Sequence, residues 1–157
     1  MRHGKSLRGP EFTTDLERPL AERGRRDAPR VAKLMQQQGV APELIVSSSA
    51  ARALATARLV QDELGDVELR EEPAIYSNST LDLLGVINNL PADAQRVLLV
   101  GHNPSMEELV DELTGRDDTV LKTCSVAVLD VGAGSWEDVA PGSVKLKALV
   151  HPRELEE

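Results

Sequence analysis

The sequence predicts an α/β fold, a three-layer sandwich in which a mostly parallel central sheet carries helices on both faces. Two short apolar runs, at 44–46 and 97–100, are each followed by a polar turn and then by a longer segment with helical spacing. Strands that alternate with helices in this way form parallel sheets covered on both sides. The length of 157 residues and an apolar content of 41% suit a single domain spanning 1–157.

The first element is expected to be a helix from about 25 to 38. Its apolar residues recur at helical spacing, Pro29 suits an early turn, and Gly39 supplies an end. Residues 5–24, before it, are rich in glycine, proline, threonine and charge. They predict a long irregular connection lying over whatever site the N-terminal residues form.

The two strand–turn–helix units come next. The run at 44–46 passes through three serines into a helical pattern that Gly65 ends, and a further helix is expected around 81–87. The run at 97–100 leads into a helix in which Ser105 and Glu108 have capping-box spacing. Apolar runs at 126–129 and 144–150 then flank a glycine-rich turn region. They predict a closing antiparallel hairpin.

Composition excludes several classes of function. The formal net charge is −8 and aromatic residues make up 2% of the chain, whereas proteins that bind nucleic acid need a broad basic surface. No apolar stretch is long enough for a membrane span, and Cys124, the single cysteine, fits a small buried residue in a reducing compartment. We therefore expect a cytoplasmic protein that binds neither nucleic acid nor membrane. No histidine pair has metal-site spacing, so neither a metal nor a cofactor is predicted.

The residues that indicate chemistry begin with Arg2-His3-Gly4. A neutral imidazole can carry a phosphoryl group, an adjacent guanidinium offers fixed donors to phosphate oxygens, and glycine allows close backbone approach. Arg52 and His102 each follow a predicted strand, and ligands of such sheets lie beyond the carboxyl ends of the strands. The three segments are expected to converge on one phosphoryl-transfer site.

The order of these motifs resembles the histidine phosphatase superfamily, which includes the phosphoglycerate mutases, and especially its small SixA-like phosphohistidine phosphatase branch. The similarity runs along nearly the whole chain. The matching residues are Arg2-His3-Gly4-Lys5-Ser6, Asp15, Arg18-Pro19-Leu20, Arg23-Gly24, Ser47-Ser48-Ser49-Ala50-Ala51-Arg52-Ala53, Thr56-Ala57 and Gly101-His102-Asn103-Pro104.

The resemblance implies a two-step reaction in which His3 attacks phosphorus, becomes a phosphohistidine, and is released by water. Arg2, Arg52 and His102 would hold the phosphoryl oxygens, with Gly4 and Arg18 also near the phosphate. For this chemistry His3 must be neutral, with its other N–H held by a carbonyl, whereas His102 acts best as a donor or cation. A pH–rate profile with a histidine limb between about pH 5 and 8 is the corresponding expectation.

The leaving-group acid is the least defined role. Asp15, on the loop over the site, is the first candidate and Asp82 the second, while Arg18 either orients that loop or adds charge to the pocket. A phosphohistidine leaving group needs little acid assistance.

The resemblance also identifies a difference. In the family a hydrophobic strand in the middle of the sheet precedes the Arg-His-Gly motif, whereas here only Met1 precedes Arg2. The first central strand is therefore expected to be missing from this chain. Two explanations stay open: a start assigned too late, which is favoured, and a shortened protein with flexible Arg2 and His3 and poor activity.

The function expected from these observations is a phosphatase that acts through phospho-His3 on a phosphohistidine of another protein or on a small phosphorylated metabolite. A mutase is an alternative, although an enclosed site would need a longer chain. A phosphate-binding or interaction module with little activity is the alternative from another class.

Overall fold

A computed structural model describes residues 1–9, 11–12, 14–132 and 134–152. Within these residues the chain forms four helices and five strands, joined by turns and short 3-10 segments. In chain order they are α1 (Glu22–Gln37), β1 (Leu44–Ser47), α2 (Ala51–Leu64), β2 (Glu68–Glu71), α3 (Thr80–Asn88), β3 (Val97–Val100), α4 (Ser105–Thr114), β4 (Val126–Asp130) and β5 (Lys145–Val150). None of these helices combines the length and the apolar character needed to cross a lipid bilayer.

The strands form two sheets. β1 lies in the middle of a three-stranded parallel sheet with the order β2-β1-β3, and β4 and β5 form an antiparallel pair with a register shift at Val128 and Leu129. All four residues of β1 are buried, as expected for the central strand of a sheet covered on both faces. The parallel sheet and the closing hairpin confirm the predicted topology.

The two faces of the parallel sheet carry different helices. Ile45 and Leu98 pack in one apolar cluster with α1 and α2. Leu44 and Val46, which point to the opposite side because strand residues alternate, pack in a second cluster with α3 and α4. The molecule is therefore the three-layer sandwich that the sequence predicts.

Some local predictions were wrong. α1 begins at Glu22, three residues before the expected start, and β2 was missed because its charged sequence gives no apolar signal for an edge strand. Ser105 is not the N-cap of α4: Pro104 precedes the helix without a side-chain cap, and Ser105 Oγ donates to the carbonyl of His102. The predicted capping box with Glu108 does not form.

The N-terminal residues lie between the two sheets. Arg2 forms a parallel bridge with Gly101, the His3 N–H donates to the Gly101 carbonyl at 3.0 Å, and the Arg2 N–H donates to Ser125 on the other side at 3.0 Å. Met1 is buried, and its ammonium group donates to the Leu99 carbonyl at 2.8 Å. The nucleophile candidate is thus fixed by backbone pairing on both sides, whereas flexible Arg2 and His3 were expected only of a shortened protein, the less favoured alternative.

Beyond Met1 the space between β3 and β4 is an apolar slot of about 390 Å³, lined by residues of both strands and by side chains from the helices above and below. Within the described residues no strand precedes Leu44. Burial in this setting lowers the pKa of the Met1 amine to about 5.

Candidate active site

His3 is one of three buried groups at the carboxyl edge of the parallel sheet. Its Nδ1 lies 2.7 Å from the Gly4 carbonyl. Because a carbonyl only accepts, Nδ1 carries the proton and donates it, which leaves Nε2 with a free lone pair. The Gly4 N–H donates to Thr56 Oγ1 at 2.9 Å, so the turn after His3 is tied to α2.

His102 lies beside His3, with the ring centroids 5.2 Å apart. Its Nε2 is 2.7 Å from Ser48 Oγ, at the turn after β1, and its Nδ1 is 3.4 Å from an amino group of Arg52. Since a guanidinium can only donate, Nδ1 of His102 is the acceptor and Nε2 carries the proton. Both histidines are therefore neutral, with opposite tautomers.

Arg52, the second residue of α2, is 6% exposed. A cation near a helix N-terminus is unfavourable without an anion, and here the carboxylate of Asp15 supplies one at 3.0 Å. Arg52 also donates to the Asp15 carbonyl at 2.8 Å, while its Nε is buried and has no hydrogen-bond partner among the described residues. An unpaired buried donor of this kind is suited to an anion.

Asp15 connects the loop before α1 to the site. Arg18 donates to its carboxylate at 2.6 Å and Tyr76 donates at 2.8 Å. Burial is the largest single effect and would raise the pKa of Asp15, but the hydrogen bonds from Tyr76, Arg18 and Arg52 together outweigh it and lower the pKa to about 2, so Asp15 is a carboxylate at neutral pH. Arg18 also donates to Ser6 Oγ and to the Leu7 carbonyl, which agrees with a role in orienting the loop.

Arg2 and Gly4 are placed differently from the other predicted residues. The Arg2 guanidinium donates to the Leu121 carbonyl at 3.1 Å, its Nε is buried without a partner among the described residues, and it lines a neighbouring basic pocket. Gly4 uses its N–H on Thr56, so that donor is not free for phosphate. A side chain at Gly4 would meet Gly24 Cα at 3.0 Å and Cys124 Sγ at 3.1 Å, so the glycine allows close packing beneath the nucleophile.

The pKa values of both histidines are strongly lowered. Burial is the largest effect, and together with the neighbouring His102, Arg52 and Arg2 it outweighs the hydrogen bond to Gly4 and lowers the pKa of His3 to about 3. Burial and the charge of Arg52 lower the pKa of His102 to about 4. In the ligand-free protein both pKa values therefore lie below pH 5, whereas the histidine limb expected between about pH 5 and 8 in a pH–rate profile concerns the enzyme at work and stays a prediction. His102 must gain a proton before it can donate from Nδ1 to an anion.

Sequence reasoning missed Tyr76, the only tyrosine of the chain. Its hydroxyl holds Asp15, and its ring stands edge-on to His102 with the centroids 5.7 Å apart. Tyr76 follows β2. Because β2 was not predicted, the sequence offered no reason to place residue 76 at the carboxyl edge of the sheet. An isolated tyrosine in an aromatic-poor chain is the only signal that could have drawn attention to it.

Comparison with known proteins agrees with this geometry. A family model described as the histidine phosphatase superfamily (branch 1) matches residues 1–76. An uncharacterised chloroplastic protein of Arabidopsis thaliana is 32% identical over 166 residues, covering 97% of this chain and 76% of its own length. The chain belongs to the histidine phosphatase superfamily. An uncharacterised protein of Mycobacterium tuberculosis is similar to this phosphatase over 98% of the chain and 100% of its own length, at 31% identity.

Solved structures place the protein within the superfamily. A structure from Agrobacterium tumefaciens assigned as the phosphohistidine phosphatase SixA has a TM-score of 0.83 and 27% identity, covering 97% of this chain and 95% of the other. A second structure, described as from Nakamurella multipartitia, is also assigned as the phosphohistidine phosphatase SixA. It has a TM-score of 0.80 and 26% identity, covering 97% of this chain and 93% of the other. The protein is a SixA-like histidine phosphatase with the α/β fold of that branch.

Proposed function

We propose that this histidine phosphatase removes the phosphoryl group from a phosphohistidine of another protein through a covalent phospho-His3 intermediate. The observation that carries the proposal is the state of His3: Nδ1–H is held by the Gly4 carbonyl and Nε2 is free. A buried neutral imidazole with a free nitrogen is a competent nucleophile.

In the first step, Nε2 of His3 attacks phosphorus and the bond from phosphorus to the substrate nitrogen breaks. The leaving imidazole, which is protonated on its other nitrogen, departs neutral, so no proton from the enzyme is required for a phosphohistidine. In the second step, water attacks phospho-His3, the bond between Nε2 and phosphorus breaks, and inorganic phosphate leaves. The proton of the attacking water passes to phosphate or solvent, and His3 returns to its neutral state.

Positive charge near His3 supports both steps. Arg52 keeps its charge at all working pH values, and its unpartnered Nε gives it an additional donor for a phosphoryl oxygen. His102 would take up a proton as the dianion binds, because an adjacent negative charge raises the pKa of an imidazole. Arg2 would add positive charge for the phosphoryl group from one side of the site, since it is among the cations that lower the pKa of both histidines.

Asp15 is the proposed acid for substrates whose leaving group needs one. In the free protein it is ionised because Arg18, Arg52 and Tyr76 donate to it. A phosphoryl group that draws Arg52 away removes one of those donors and adds negative charge nearby, and both effects raise the pKa of Asp15. Its protonation would thus depend on substrate binding.

A phosphoprotein is favoured over a small metabolite for two reasons. The SixA-type structures at 26–27% identity are assigned as phosphohistidine phosphatases. The connections around the site are also short, apart from the segment before α1, so little chain is available to enclose a small substrate.

The test compares wild type with His3→Ala on a phosphohistidine peptide and on p-nitrophenyl phosphate. Removing the nucleophile should lower turnover of both by about 10³-fold or more, and acid-labile phosphate should label wild type alone. His151→Ala, in which a histidine outside the site is lost, is the matched control and should retain activity. Thermal unfolding of each variant checks that it is folded.

Other outcomes would replace the proposal. Equal turnover by wild type and His3→Ala would refute the covalent mechanism. Turnover of small esters without turnover of the peptide would indicate a metabolite phosphatase, and transfer of the label to a second acceptor instead of water would indicate a mutase. Phosphate binding without label or turnover would indicate a binding module.

A further inference from the structure

A basic pocket of about 420 Å³ lies beside the active site, on the Arg2 side. Among the residues that the structure describes, its charged lining has five cations against a single carboxylate. The charged residues are Arg2, Lys5, Arg23, Arg26, Lys122 and Asp27. The whole chain carries a formal net charge of −8, so this positive surface contrasts sharply with the rest of the molecule.

The single carboxylate does not neutralise the pocket. Asp27 lies 3.9 Å from Arg23 Nε and 3.7 Å from Arg26 Nε, so it is shared between two arginines. Arg23 also donates to Thr123 Oγ1 at 3.2 Å, which ties α1 to the segment before β4. Lys5 and Lys122, on two other segments that line the pocket, are exposed, and Pro152 completes the lining.

Arg2 joins the pocket to the catalytic histidines. It lines the pocket, while its charge contributes to the lowered pKa values of His3 and His102. Burial lowers the pKa of Arg2, while the charge of Glu107 raises it and that of Arg8 lowers it, so one carboxylate and one further cation act on Arg2 from outside the pocket lining. An anionic group in the pocket would therefore be held next to a phosphoryl group on His3.

We infer that the basic pocket docks acidic side chains that flank the phosphohistidine of a protein substrate; this inference rests on the proposed function. A site for a small anion needs buried, converging donors. Here the cations come from three segments and four of the five side chains are exposed, which suits the rim of a protein interface, where charge steers the encounter and selects the partner. The attraction would also offset the repulsion that an acidic partner meets from this acidic chain.

The experiment uses two synthetic peptides, one with phosphohistidine flanked by glutamates and one with phosphohistidine flanked by serine and glycine. The test variant is Lys5→Glu/Lys122→Glu, which reverses two charges in the pocket outside the proposed catalytic groups. The matched control is Lys145→Glu/Lys147→Glu, with the same change of net charge on exposed residues of β5 that do not line the pocket.

We expect wild type to prefer the glutamate-flanked peptide by about tenfold in kcat/KM at low ionic strength, with the preference falling as salt is added. The test variant should lose that preference, and its turnover of p-nitrophenyl phosphate should stay within about twofold of wild type. The control should keep the preference. Absence of a preference in wild type, or an equal loss in the control, would overturn the inference.

Two further measurements distinguish this inference from the proposed catalytic mechanism and from a subsite for a small anion. Binding of the glutamate-flanked peptide to His3→Ala, measured with and without the two lysine substitutions, tests docking without catalysis, so it is readable even if the proposed mechanism fails. Inorganic pyrophosphate serves as the small-anion probe. If the lysine substitutions weaken pyrophosphate inhibition and leave the peptide preference intact, the pocket is a small-molecule subsite and the docking inference is wrong.

Discussion

The tautomers of His3 and His102 are set by the groups they meet. The Gly4 carbonyl requires a proton on Nδ1 of His3, whereas the Arg52 amino group requires a lone pair on Nδ1 of His102. The first arrangement presents a nucleophile. The second leaves His102 able to accept a proton on the side that faces Arg52, and only then can it donate to a phosphoryl oxygen.

This arrangement predicts the protonation of the free enzyme. Because burial lowers the pKa of His3 to about 3 and of His102 to about 4, neither ring should titrate between pH 7.5 and 5 in histidine NMR spectra assigned with single variants. Saturation with tungstate should raise the midpoint of His102, since an anion favours the imidazolium. A midpoint near 6.5 for either ring in the free protein would contradict the prediction.

The same shifts have a consequence for stability. Between the lowered folded-state pKa values and the ordinary value of 6.5, the unfolded chain binds more protons than the native one. The stabilisation that depends on neutral histidines is thus complete above about pH 6.5 and is lost as the pH falls towards 3–4. Thermal midpoints measured across this range should decrease on acidification, and less so with a saturating anion.

At the scale of single residues, the sequence was sufficient to predict the location of residues whose placement depends on the order of strands along the chain. His3, Arg52 and His102 each follow a strand end or its equivalent, and the structure brings them together. The surroundings of Arg2 and the approach of Tyr76 depend on contacts between segments distant in sequence, namely with Leu121 and Asp15. No local pattern records such contacts, so these placements needed the folded chain.

Among the elements, α1 packs closely against the N-terminal segment at Gly24. A Cβ at this position would lie 2.5 Å from the Lys5 carbonyl oxygen and 2.9 Å from Leu20 Cδ2. Gly85, in α3, is also helical but has no atom within 4 Å of its would-be Cβ. The two glycines therefore form a matched pair for substitution by alanine.

Gly24→Ala should cost about 1–3 kcal/mol of unfolding free energy through overpacking, and it should reduce turnover because the displaced backbone carries Lys5, which lies two residues after His3. Gly85→Ala should gain about 0.5–1 kcal/mol from improved helix propensity, with unchanged turnover. Denaturant unfolding and kcat/KM measure both. A neutral Gly24→Ala variant would show that the contact between α1 and the N-terminal segment is not needed.

The elements that sequence reasoning located best were those with buried apolar runs, β1 and β3, and the helices that follow them. β2 escaped because it reads Glu-Leu-Arg-Glu at an exposed edge, where burial imposes no alternation. The start of α4 was misassigned because Ser105 and Glu108 have the spacing of a capping box, whereas the serine hydroxyl bonds to His102 instead. Both errors come from tertiary contacts that override local preference.

At the scale of the whole molecule, the apolar slot between the sheets predicts that an added strand would stabilise the protein. Four to six β-branched residues attached before Met1 would move the terminal amine out of its buried position, pair with the free edges of β3 and β4, and bury apolar side chains. Each such side chain contributes about 1.5–3 kcal/mol when fully buried. The expected rise in thermal midpoint is on the order of 5–10 °C.

A serine–glycine extension of equal length is the control. It displaces the terminal amine as well, but it supplies no apolar surface for the slot. If both extensions raise the thermal midpoint equally, removal of the buried terminal amine accounts for the effect and the slot is not a strand site. Turnover measured on both proteins would show whether the added stability also changes the activity that depends on His3.

The contact between Asp15 and Arg52 bears on how a catalytic cycle ends. Under the proposed mechanism, inorganic phosphate must leave a buried guanidinium, and departure into solvent would strand that charge without a counterion. The Asp15 carboxylate, already seen 3.0 Å from Arg52 in the ligand-free protein, can take its place as the product departs. Product release then becomes an exchange of one anion for another, with the enzyme supplying the incoming anion from its own chain.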